Sequence, residues 1–91
     1  METNTAFLSI DEGNLTSAFE NAGKTLDGDR EQFGVDLSCV HRIDSAGLNA
    51  IQDFAHRADE KKVKVVLRGV NANVYKMLKL ARLTRHFLFA N

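Results

Sequence analysis

Four short strand-like segments alternate with three amphipathic helical stretches, and this order constrains the fold more than any other feature of the chain. A helix between two strands carries the chain back to the end where the first strand began. Such strands pair in parallel, with the helices as crossovers. Ala6, Leu8 and Ile10 alternate with Phe7 and Ser9, the period of a strand. Asp11-Glu12-Gly13-Asn14 is a turn cluster. Leu15, Ala18, Phe19, Ala22 and Leu26 then recur at helical spacing, with Asn14 as the expected cap and Gly28, between Asp27 and Asp29, as the stop. Phe33 to Leu37 reads as a second strand despite Gly34, and Leu37 to Ile43 leads into Asp44-Ser45-Ala46-Gly47.

Leu48, Ile51, Ala55 and Ala58 mark one face of a second helix, which Asp59-Glu60-Lys61-Lys62 closes as a solvated end. Val63, Val65 and Leu67, with Val66 between them, form the strongest strand, and the near-continuous apolar run predicts burial on both faces. Gly69 to Asn73 is a turn with Asn73 as the expected cap. Val74, Met77, Leu78 and Ala81 line a third helix, with Lys79, Arg82 and Arg85 near its negative end. Phe87-Leu88-Phe89 reads as a short edge strand. The expected architecture is a single α/β domain over residues 1–91: a mostly parallel sheet of four or five strands with about three covering helices.

Composition narrows the function classes. At 91 residues the chain has room for a real core but not for a second domain or a deep enclosed pocket. Twelve basic residues against twelve acidic ones argue against a nucleic-acid binder. A lone cysteine excludes an internal disulfide framework and suits a reducing, cytoplasmic setting. No apolar stretch reaches the ~20 residues of a membrane span, and the first residues do not read as a signal peptide.

Catalytic constellations are scarce. His41, His56 and His86 lie apart without metal-ligand spacing, and His56 reads as a surface residue. Cys39 reads as a small core residue, and no phosphate-binding glycine loop is present, so no cofactor is expected. Asp36 and Asp44 are separated by a loop, and nothing supports paired acid–base work. The series Lys76, Lys79, Arg82, Arg85 reads as a solvated face rather than a phosphate or lipid site.

Asp44-Ser45-Ala46-Gly47 stands out. A carboxylate and a hydroxyl sit at a helix entrance, where unpaired N–H groups need acceptors. One reading is simply a helix cap. The other is a switch. Phosphorylating Ser45 would add roughly −1.5 to −2 charges at a place where the helix dipole tolerates them. A partner packed on the same rim would meet a dianion beside Asp44, and small Ala46 and Gly47 would let that partner approach the backbone.

Val35-Asp36-Leu37-Ser38, a connector, then Ile43-Asp44-Ser45-Ala46-Gly47-Leu48 resembles the signature of the STAS domain, the anti-sigma-factor antagonist family. Val63 to Val70, Val74 to Leu83 and Phe87 resemble its later elements, so the likeness runs from about Phe7 to Phe89. It implies a STAS-like fold without enzymatic activity. It also implies a bacterial partner-switching regulator of transcription that binds an anti-sigma factor with serine kinase activity and so releases a sigma factor. Ser45 would be the phosphorylation site that ends binding, reset by a phosphatase. Partner contacts would come from Asp44, Ser45, Ala46, Gly47, Leu48, Asn49, Arg42, Asn14 and Thr16, with Asp44 holding the loop and the Ser45 hydroxyl.

The departures are specific. Ala46 excludes a second hydroxyl phosphosite at that position. Thr16 replaces the acidic residue common after the leucine of the first turn, here Leu15. Any extra first strand would have to come from Met1 to Thr5, and Lys61-Lys62 replaces a glycine before the third strand, a change of loop geometry. The alternative on the same fold is the small cytoplasmic STAS subunit of a lipid-asymmetry ABC transporter, contacting its ATPase. Leu80 to Phe87 suits the antagonist pattern better. An enzyme using Ser45 as nucleophile lacks a nearby base.

Overall fold

Period-2 and helical-period segments settle as the strands β1 (Phe7–Asp11), β2 (Gln32–Cys39), β3 (Lys64–Arg68) and β4 (Phe87–Ala90) and the helices α1 (Leu15–Thr25), α2 (Ser45–Lys61) and α3 (Ala72–Leu80). Short 3-10 turns at Glu12–Asn14 and Thr84–His86 complete the path. The computed structural model describes residues 7–26 and 32–90; Ala6, the expected stop at Gly28 and the stretch Met1 to Thr5 lie outside them. The strands form one four-stranded sheet in the order β1-β2-β3-β4, and each neighbouring pair is parallel. This is the α/β architecture the alternation predicts, with four strands among the described residues.

Among the described residues the sheet is covered on one side. Val35 pairs with Leu67, and Val65 pairs with both Phe33 and Phe87, so these residues share a face. They pack in one cluster with Phe19 of α1, Ile51 and Phe54 of α2, and Val74 and Leu78 of α3. Phe54 is the hub, meeting Phe19 and Phe33 edge-on at ring separations of 5.3 and 5.5 Å. Burying a side chain of this size contributes roughly 1.5–3 kcal/mol. The expectation that β3 is buried on both faces is therefore corrected. Lys64 is exposed, while Val66 and Arg68 are half-buried, because all three helices pack on the opposite side.

The uncovered face has its own supports. Asp36 of β2 accepts from the Ser38 N–H at 2.8 Å and from the Ser38 hydroxyl, and from Arg68 Nε and Nη2 at 3.1 and 2.8 Å. The Arg68 guanidinium lies 4.0 Å from the centre of the Phe7 ring, so one cation ties three strands together. Gly34 makes room for that ring: a β-carbon there would come within 2.8 Å of it.

Other local expectations change. Cys39 is exposed rather than a core residue. Ser9 pairs with Asp36 but Asp11 pairs with Cys39, so β2 carries an extra residue and loses its in–out alternation there. Asn71, not Asn73, caps α3, its Oδ1 accepting the Val74 N–H at 2.8 Å. Asn14 does not cap α1 through its side chain; it and Asp11 close a reciprocal capping box on the preceding 3-10 turn. Lys62 adopts the left-handed conformation (φ 59°) at the end of α2, the geometry a glycine would supply without strain. His86, half-buried, places Nδ1 2.8 Å from Asp59 Oδ2, while His56 is exposed as expected.

The Ser38 and Arg68 donors hold the Asp36 carboxyl down from 3.8 to about 2, the side-chain and backbone hydrogen bonds from Ser38 contributing most. A depressed carboxyl stabilises the fold above its unfolded value, and that stabilisation is lost as pH falls through the folded one. Urea unfolding of the wild type should therefore weaken progressively between about pH 3.8 and about pH 2 relative to Asp36→Asn. Parallel pH curves for the two proteins would show that the strut carries no such linkage.

Candidate functional site

Because every strand points the same way, each strand-to-helix connection emerges at one rim. Three of them meet there: residues 12–14 after β1, residues 40–44 after β2, and residues 69–71 after β3. The central connector is anchored by Val40 and Ile43, both buried, which leaves His41 and Arg42 between them exposed. Asp44 is the N-cap of α2, its Oδ1 accepting the Gly47 N–H at 2.8 Å, while its carbonyl accepts the Leu48 N–H at 2.9 Å. A cap of this kind contributes about 1 kcal/mol. Ser45 is the first helical residue and is exposed, as are Asp44, Ala46 and Asn49. Leu48 is half-buried.

The structure thus brings Asp44, Ser45, Ala46, Asn49 and Arg42 onto one accessible rim, with two corrections. Gly47 is buried, and a β-carbon on it would sit 2.8 Å from Leu15 Cδ2 and 3.2 Å from Asp44 Oδ1 and Ile43 Cγ2. Its smallness serves helix packing inside the protein, not a partner's approach. Asp44 holds the loop but not the serine: among the described residues nothing hydrogen-bonds the Ser45 hydroxyl, because the carboxylate is aimed along the helix at Gly47. The remaining candidates fall beside the rim. Thr16, half-buried, lines a shallow concavity of about 440 Å³ with Glu12, Leu15, Arg42, Ile43 and Asp44. Asn14 is exposed within the capping box that shapes the first turn.

Two residues that sequence reading placed in turns belong to this site. Glu12 Oε2 accepts the backbone N–H groups of His41 at 2.6 Å and Arg42 at 3.2 Å. The His41 hydrogen bond is the main reason its carboxyl is lowered from the ordinary value. On the opposite side Asn71 Nδ2 donates to the carbonyls of Val40 at 3.1 Å and His41 at 3.3 Å. Their sequence signal is weak. Each is only a polar residue in a strand-to-helix turn, and its partner is about thirty residues away. Asp36 belongs to the open-face strut and Asp44 to the helix cap, so they do not form an acid–base pair. Among the described residues no group of His, Cys, Asp and Glu could hold a metal ion, and no helix is long and apolar enough to cross a membrane. Lys76, Lys79, Arg82 and Arg85 are all exposed.

Comparison with known proteins agrees with this fold. The family model of the STAS domain matches residues 8–91. A crystal structure from Thermotoga maritima, described as a "putative anti-sigma factor antagonist", is similar in fold at a TM-score of 0.64 and 19% sequence identity, over 98% of this chain and 75% of that one. No curated protein sequence gives a significant match.

The packing of Gly47 can be tested directly. Gly47→Ala gains helix propensity but drives a methyl group against Leu15 and the capping carboxylate, and the clash outweighs the gain. The variant should lose about 1–2 kcal/mol in chemical denaturation. An unchanged or raised midpoint would show that the helix start has slack.

Proposed function

The chain belongs to the STAS domain family, and from that premise we propose that it is an anti-sigma-factor antagonist whose binding is switched by phosphorylation of Ser45. In this reading it binds an anti-sigma factor that is also a serine kinase, and so frees a sigma factor. The observation that carries the reading is the placement of Ser45. Its hydroxyl is exposed, and without a hydrogen-bond partner among the described residues, on the first residue of α2, on a rim whose central connector is hydrogen-bonded to both neighbouring ones. A kinase can reach such a group without unfolding anything.

The physics of the switch follows from the same placement. A phosphate on Ser45 would meet the positive end of α2, so the domain tolerates the charge. Asp44 already stands beside it, exposed. A partner packed against Asp44, Ala46, Leu48 and Asn49 would have to desolvate a dianion next to a carboxylate, which costs several kcal/mol when nothing on the partner pairs with it. Arg42 and Thr16 would extend the contact across the neighbouring concavity. The kinase supplies ATP and the catalytic groups, and a phosphatase acting on phospho-Ser45 restores the binding form. The proposed setting is the bacterial cytoplasm.

Incubation with the cognate kinase and ATP should add one phosphate, located at Ser45 by intact mass and peptide mapping. Ser45→Glu should weaken the complex by about tenfold or more while its circular dichroism stays that of the wild type. Ser45→Ala should bind and resist release. Phosphate found only at other residues, or full binding by Ser45→Glu, would overturn the switch. Affinity capture of an ABC ATPase without an anti-sigma factor would instead establish the transporter-subunit role.

A further inference from the structure

The connector that presents Ser45 is held from both sides by residues outside it. The backbone of His41 is the focus. Its N–H is taken by Glu12 at 2.6 Å and its carbonyl accepts from Asn71 at 3.3 Å. The flanking groups are held by the same two side chains: the Arg42 N–H by Glu12 at 3.2 Å and the Val40 carbonyl by Asn71 at 3.1 Å. Glu12 comes from the β1–α1 turn and Asn71 from the β3–α3 turn, so the central connector is pinned to both neighbouring ones. Without these side chains the exposed peptides of His41 and Arg42 would face water alone, and only the buried Val40 and Ile43 would anchor them.

We infer that Glu12 and Asn71 form a two-sided cradle that pre-organises the Ser45 rim, and that both are positioning residues for its recognition by the partner. The inference rests on the reading of Ser45 given above. A loop that is already ordered loses little conformational freedom when a partner docks, so a cradle of this kind acts on affinity rather than on the chemical step. Glu12 suits the task because a carboxylate oxygen accepts two N–H groups and makes stronger bonds than a neutral acceptor. Asn71 suits it because one amide does two jobs: Oδ1 caps α3 and Nδ2 reaches the connector.

That division gives a clean set of variants. Asn71→Asp keeps the capping oxygen and removes the donor, so it separates the cradle from the cap. Glu12→Ala removes the acceptor, and Glu12→Gln restores a neutral one. Amide hydrogen exchange on the isolated protein should show His41 and Arg42 losing protection by about tenfold in Glu12→Ala, with rescue in Glu12→Gln. Asn71→Asp should loosen the same amides while those early in α3 keep their protection. In the kinase reaction, Glu12→Ala and Asn71→Asp should each raise KM for the protein about tenfold and leave kcat nearly unchanged. Unaltered exchange at His41 and Arg42 would overturn the cradle. Loosened amides with wild-type KM would overturn its positioning role. If the wild type takes no phosphate at Ser45, the functional reading fails instead, and the exchange measurements alone decide the cradle.

Discussion

Parallel pairing of the four described strands is the constraint on which the rest depends. It forces every connection from strand to helix to one rim of the sheet, whatever the connections contain. Glu12, the 40–44 connector and Asn71 are far apart in the chain and meet only for this reason. An antiparallel sheet would have sent alternate connections to opposite ends and left Ser45 on an unsupported loop. Buried Val40 and Ile43 then fix where the central connector leaves the core, and Asp44 fixes where α2 starts.

The two faces of the sheet are stabilised by different physics. The helix side is an ordinary apolar core of interlocking side chains around Phe54. The other side, which none of the described helices covers, uses a charged strut: Arg68 reaches Asp36 on the neighbouring strand and lies over Phe7 from the edge strand. Gly34 is what lets the edge-strand ring approach. Such a strut is half-exposed and pH-dependent, whereas the core beneath is not. The rim at the strand ends is polar for a third reason. Backbone groups released by strand and helix termini need partners, and side chains from neighbouring connections supply them.

Most of the fold was legible from local pattern. Leu15, Phe19 and Ala22 fall at helical spacing and all are buried, and the short Phe87 segment is an edge strand as its length suggests. The errors fall where local pattern is silent about neighbours. Val66 looks like a core residue, but which side of the sheet the helices cover is settled by packing. Cys39 looks buried because it follows an apolar strand, yet the register shift against β1 turns it outward. Lys62 reads as a loop lysine and turns out to hold the left-handed position that ends α2.

The sequence by itself determined the order of elements, the parallel sheet and the position of Ser45 at a helix start, because periodicity and capping chemistry act over a few residues. Only the tertiary structure decided that the Ser45 hydroxyl has no hydrogen-bond partner among the described residues, that Gly47 packs inward against Leu15, and that Glu12 and Asn71 grip the backbone of the same residue, His41. Those are contacts between segments brought together by the sheet, and no spacing within one segment encodes them.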